Sequence, residues 1–141
     1  RSRADMLALR EAVKNGLVDC IASHHIPQDW DNKTCEFEYA KNGMIGLQTA
    51  YAAVQTAIPE LTAGNIAELF ATNARKIFGL PAATIKEGEI AELSIFSGSI
   101  KGTFIKEQIK SRSTNSAFID KELNGKVLGI FNKEKLTLTK S

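Results

Sequence analysis

The apolar residues change period near Pro81. Before it they recur at helical spacing. After it they alternate or bunch in short runs. Met6, Leu9, Ala12 and Val13 fall on one face of a first helix over residues 3–15, with Ser2 and Asp5 as a capping pair and Gly16 just past its end. Residues 18–22, VDCIA, are apolar apart from Asp19, which predicts a strand buried on both faces. Leu47, Ala50, Tyr51, Val54 and Ile58 line a second helix that ends before Pro59. Thr62 or a neighbour caps a third helix carrying Ile66, Leu69 and Phe70, and residues 73–80 read as one more, stopped by Gly79 and Pro81. Beyond Pro81, residues 91–96 (AELSIF), 127–131 (VLGIF) and 136–139 (LTLT) are predicted strands. Residues 132–134 make the turn between the last two, and residues 111–116 (SRSTNS) form a polar loop.

The predicted strand at 18–22 runs into Ser23, His24 and His25, then Pro27 and a long polar loop, and a Gly43–Gly46 turn leads into the second helix. A buried strand that hands polar side chains to a loop, with a helix behind it, is how α/β enzymes build sites at the carboxyl ends of strands. One such strand cannot form a parallel sheet alone, and the terminal strands are too few to close a barrel, so edges are left to be paired. The expectation is that residues upstream of Arg1 are missing or that the chain packs against another.

A length of 141 residues suits one ordinary domain, and 43% hydrophobic with 24% charged residues is the composition of a globular protein rather than a disordered tail. The net charge is +2 and the basic residues are scattered, with no basic stripe interleaved with aromatics, which argues against nucleic acid as a partner. No apolar run approaches the ~18 residues of a membrane span, and the charged, helical start is unlike a secretory signal. Cys20 and Cys35 have no disulfide framework, which points to reduced thiols in the cytoplasm. A metal site of Cys20, Cys35, His24 and His25 matches no zinc-module spacing; small buried cysteines are the plainer reading.

Five motifs in order carry a family resemblance. DCIASHHIPQ, from Asp19 to Gln28, resembles the D-x-I-A-T-D-H-A-P-H segment of the dihydroorotases of the amidohydrolase superfamily. FEYA from Phe37 with GMIGLQTA from Gly43 is similar to their F-x-x-A-x-x-G-I-x-G-L-E-T-A. Asn73, Ala74 and Arg75 through Gly79 and Leu80 resemble N-P-A-x-I-x-G-L, and GEIAEL from Gly88 resembles G-x-x-A-D-L. SRSTNSAF from Ser111, followed by Gly125, Lys126 and Val127, is similar to S-K-S-x-N-T-P-F…G-x-V. Each match alone is weak, but the ordered set covers nearly the whole chain.

The resemblance implies an α/β fold: the last strand and following helices of a (β/α)8 metal-dependent hydrolase barrel in residues 1–80, then strands of a small composite β-sandwich in residues 81–141. A barrel takes about 250 residues, so the chain is expected to be its carboxyl-terminal part, incomplete alone. The implied activity is the reversible interconversion of N-carbamoyl-aspartate and dihydroorotate in pyrimidine biosynthesis, with zinc as cofactor. The superfamily's other metal ligands lie on earlier strands, so this chain alone is expected to hold no zinc. The implied partners are the missing amino-terminal part of the barrel or a second copy of the chain, and aspartate carbamoyltransferase.

By the same resemblance, His24 stands where the family has an aspartate that binds metal and shuttles a proton. Gln28 stands where a histidine helps hold the substrate carboxylate. Ala40, through its backbone, and Gly43 match the family at the substrate. Imidazole ligates zinc and moves protons but brings no negative charge, and Gln28 donates without charge assistance. His24 is therefore read as metal ligand and proton shuttle or as a polar filler, and Gln28 as a substrate contact or a loop residue. His25 is expected to make a structural hydrogen bond, Trp30 and Tyr39 to anchor the loop, and Asp29, Asp31 and Glu36 to be solvated. Asn73 and Arg75 are expected to tie a helix end to the barrel, and Arg112 to fix its loop or bind an anion. Three functions stand: a dihydroorotase-type cyclic amidohydrolase, an inactive scaffold subunit of the same fold, and an amidohydrolase for another ring such as a hydantoin or dihydropyrimidine.

Overall fold

Ser2 opens the first helix as its spacing with Asp5 predicts. In the computed structural model, which describes residues 2–139, the Asp5 N–H donates to Ser2 Oγ at 3.1 Å and the Ser2 N–H to Asp5 Oδ2 at 2.9 Å. Two of the four orphan donors at the helix start are thereby satisfied. The outer limits of the two expected regions, Arg1 and Ser141, lie outside the described residues, as does Lys140. Helix α1 (Arg3–Lys14) ends at Asn15, with Gly16 following. Of its predicted apolar face only Val13 is buried; Met6 and Leu9 are exposed.

Helices α2 (Ala50–Ala57) and α3 (Ala63–Ala67) follow, then a π-helical turn at Glu68–Thr72 and α4 (Asn73–Ile77). Thr62 caps α3 as expected, its Oγ accepting from the Asn65 N–H at 3.2 Å. Val13, Ile58, Leu61, Ile66 and Leu69 form the core where these helices meet, with Val18, Ile21, Tyr51 and Phe96 packed around it.

The sheet is antiparallel, in the order β1 (Glu92–Phe104), β2 (Lys121–Asn132), β3 (Lys135–Leu138). Both long strands extend beyond the apolar runs that predict them. Residues 97–103, SGSIKGT, have no alternation to signal a strand, yet Ser97, Lys101, Gly102 and Thr103 pair with β2, with register irregularities after Ile95 and Ser97. The sheet lies on α2. The Asn124 N–H donates to Thr56 Oγ1 at 2.7 Å, and the rings of Tyr51 and Phe96 meet edge to face with centroids 4.9 Å apart. The Tyr51 hydroxyl is buried without a partner among the described residues, and burial pushes its pKa up.

Residues 18–22, predicted as a buried strand, find no neighbouring strand among the described residues, and Asp19 and Ala22 are exposed rather than buried. A strand is defined by backbone bonds to a neighbour, and here the segment is held by helices instead. The Ile21 N–H donates to the Leu69 carbonyl at 2.9 Å, and Asn73 Nδ2 donates to the Asp19 carbonyl at 2.9 Å. Asn73, at the start of α4, thereby ties that helix to segment 18–22. Arg75 instead reaches along its own chain, from Nη1 to the Pro81 carbonyl at 2.9 Å.

Candidate functional site

Segment 18–22 delivers the residues from Ser23 to Gln28 against the turn at 43–46. His24 has φ +46°, a left-handed backbone uncommon outside glycine though histidine is enriched there. It presents an exposed side chain, whereas the next residue is half-buried. His25 Nδ1 accepts from the backbone N–H groups of both Gly46 and Leu47, each at 3.2 Å. These bonds assign His25 the structural role expected of it and fix its Nδ1 as the unprotonated nitrogen. They also leave His24 as the histidine facing outward.

The two segments approach closely. A Cβ on Gly46 would lie 2.7 Å from the Ser23 carbonyl oxygen, so no larger residue fits without moving backbone. Gly43 has φ +116°, and a Cβ there would meet Ile26 Cγ2 at 2.7 Å. Both conformation and space therefore demand glycine at position 43. Between these contacts the Ile26 N–H donates to the Met44 carbonyl at 3.0 Å.

Gln28 is half-buried and engaged on both backbone and side chain. Its Nε2 donates to the Asn42 carbonyl at 3.1 Å. Ala40 is also half-buried, and its N–H donates to the Glu36 carbonyl at 3.1 Å. The backbone group that Ala40 can still offer a ligand is its carbonyl. His24, Gln28 and Gly43 thus come from one pair of facing segments, and Ala40 stands at the end of the loop between them.

The loop over residues 29–42 winds through successive turns, including Lys33 N–H to the Trp30 carbonyl at 2.8 Å and Lys41 N–H to the Asn32 carbonyl at 3.1 Å. Trp30 and Tyr39 are 75% and 74% exposed, which overturns their expected role as anchors. The turns' own backbone bonds hold the loop. Cys20 and Cys35 are free and half-buried.

Among the described residues, no three of His, Cys, Asp and Glu gather to hold a metal ion. A catalytic zinc takes about three protein ligands, and His24 is the one donor at the position the resemblance marks. The residues present therefore do not by themselves fit a zinc site.

The residue that sequence reasoning missed is Asn115. Arg112 of the SRSTNS loop is exposed, and the loop is fixed instead by Ser113 and Asn115. Asn115 Nδ2 donates to the Gly43 carbonyl at 2.9 Å, and its Oδ1 accepts from the Gln28 N–H at 3.3 Å. The Asn115 carbonyl accepts from the Ile45 N–H at 2.9 Å. The Ser113 hydroxyl reaches the Gln28 carbonyl at 2.6 Å and also lies against Asn115 Oδ1. The available signal was an amide with both donor and acceptor in a polar loop, but its partners lie more than seventy residues away in sequence.

No family model matches the chain. It is 39% identical to a dihydroorotase of Caldicellulosiruptor saccharolyticus, over 94% of this chain and 34% of that protein. It is 36% identical to a dihydroorotase of Clostridium acetobutylicum, over 90% of this chain and 31% of that one. Among solved structures it resembles an L-hydantoinase (dihydropyrimidinase) from Arthrobacter aurescens, with a TM-score of 0.88 and 24% identity over 100% of this chain and 33% of that. A D-hydantoinase (dihydropyrimidinase) from Thermus sp. matches with a TM-score of 0.79 and 22% identity, over 93% of this chain and 30% of that. The chain spans about a third of the length of the curated relatives it matches. Its helices and small sheet share the fold of about a third of a hydantoinase.

Proposed function

We propose that this chain, a relative of the dihydroorotases over most of its length, is part of a cyclic amidohydrolase that opens and closes the dihydroorotate ring. The observation that carries this reading is the 39% identity to a dihydroorotase over 94% of the chain. The placement of His24, Gln28 and Gly43 on one pair of facing segments supports it. In this reading residues 1–80 end the barrel, with residues 18–22 as its last strand. Residues 81–141 belong to the small β-sandwich.

In the hydrolytic direction a water oxygen bonds to the ring amide carbon, the ring C–N bond breaks, and a proton ends on the leaving nitrogen. His24, exposed at the end of its segment, is this chain's group for moving that proton. Gln28, the Ala40 carbonyl and the Gly43 turn hold the ring and its carboxylate. Zinc is the cofactor the family resemblance implies, and since the residues present here do not complete its ligand set, no step is assigned to it.

The test is turnover of dihydroorotate by the full protein, in both directions, beside a hydantoin and a dihydropyrimidine. Dihydroorotate is expected to be the preferred ring. His24→Ala is expected to lower kcat on the order of 10²-fold, the scale of a positioned acid–base group. Preference for another ring would reassign the substrate. A wild type inactive on every ring would overturn the enzyme reading. It would favour the second one, an inactive dihydroorotase-like scaffold. The observation behind that alternative is the pair of replacements at His24 and Gln28, and His24→Asp alone would then restore no rate.

A further inference from the structure

We propose that Asn115 is a positioning residue, the clasp by which the segment between β1 and β2 fixes both halves of the substrate-holding site. The inference rests on the reading of Gln28 and Gly43 as substrate contacts. Three groups of one residue bind three points of the site. The side-chain N–H grips the Gly43 carbonyl, the side-chain oxygen takes the Gln28 N–H, and the backbone carbonyl takes the Ile45 N–H. Ser113 adds its hydroxyl to the Gln28 carbonyl. Gln28 and Gly43 lie on separate segments, and Asn115 is the side chain that bonds to both.

A primary amide offers a donor and an acceptor about 2 Å apart in a fixed plane, and asparagine supplies it at this length. Gly43 also holds a left-handed conformation against Ile26. A bond to its carbonyl sets the orientation of the peptide that follows, and with it the line of the turn through Gly46.

The experiment compares the full protein with its Asn115→Ala, Asn115→Asp and Ser113→Ala variants by residue-resolved hydrogen exchange and by steady-state kinetics on dihydroorotate. Asn115→Ala is expected to speed exchange of the Gln28 amide about 10-fold or more, as loss of a hydrogen bond to a half-buried donor implies. Asn115→Asp keeps the acceptor for Gln28 but cannot donate to Gly43 when ionised, so the Gln28 amide should stay protected. Both variants are expected to raise KM about 10-fold with a smaller change in kcat, the signature of lost binding rather than lost chemistry. Ser113→Ala, the milder change, should loosen residues around Gln28 without opening the Gly43 turn.

Unchanged exchange at Gln28 in Asn115→Ala would overturn the clasp. So would faster exchange with KM unmoved in an active protein, which reduces Asn115 to a structural residue. A wild type without turnover would overturn the functional reading alone, and the exchange results would still decide whether the clasp exists.

Discussion

His25 shows how much one tautomer decides at the scale of the residue. Its Nδ1 takes two backbone N–H groups that open the path into α2, and one of them belongs to the buried Gly46. Removing the acceptor leaves the Gly46 donor without a partner, at a cost of about 1–3 kcal/mol. His25→Leu is therefore expected to lower the stability of the full protein by that amount. In His25→Asn, the Oδ1 stands close to where Nδ1 stood, and most of the loss should be recovered. Denaturant midpoints for the two variants check the pair. Equal destabilisation by Leu and Asn would show that ring packing, not the acceptor, is what His25 contributes. A structural hydrogen bond at position 25 was expected from the sequence, but the identity of its partners was not legible. The two N–H groups lie over twenty residues downstream, and only the approach of Gly46 to Ser23 brings them there.

Element by element, local signals were the readable ones. Ser2 and Asp5 announced the start of α1, Thr62 that of α3, and both caps form as written in the sequence. Signals that depend on a partner were not readable. Residues 18–22 have the composition of a strand but no strand beside them. Residues 97–103 lack the composition, yet Ser97, Lys101, Gly102 and Thr103 pair, because β2 supplies the ladder. Helix α1 is tied at both ends by charge, which gives a prediction about pH. Hydrogen bonds from the Ser2 backbone and hydroxyl hold Asp5 below the usual carboxylate range, and a hydrogen bond from Lys14 lowers Glu60. The same contact with Glu60, and a second with Glu11, raise Lys14. A depressed carboxylate contributes fully above its unfolded value of about 4 and loses that contribution as pH falls through its folded value. A raised lysine contributes fully below its ordinary value of 10.5 and loses it as pH rises further. The stability difference between wild type and an Asp5→Ala, Lys14→Met double variant should therefore be flat from about pH 5 to 9 and shrink below about 4. Thermal unfolding across that range measures it; a difference that grows on acidification would contradict the assignment.

For the whole molecule, the balance of buried and exposed apolar surface sets the last expectation. Val13, Ile58, Leu61, Ile66 and Leu69 make one small core, and among the described residues no large side chain is completely shielded. Meanwhile Leu17, Phe37, Phe78 and Ile85 are between 73% and 96% exposed, and β1 and β3 each leave an unpaired edge. A chain of this length that folds alone would bury roughly two thirds of its surface, and monomers rarely leave apolar patches beyond a few hundred Å². The 141-residue chain, isolated, is therefore expected to melt over a broad range and to bind a dye specific for apolar surface. In the full protein the same side chains should be covered, by the rest of a barrel or by a second copy, and hydrogen exchange of β1 and β3 should slow accordingly. Calorimetry and dye fluorescence on the isolated chain, beside exchange on the full protein, make the comparison. A monodisperse monomer with a sharp two-state melt and no dye binding would show that the small core suffices, and that the exposed apolar faces need no cover.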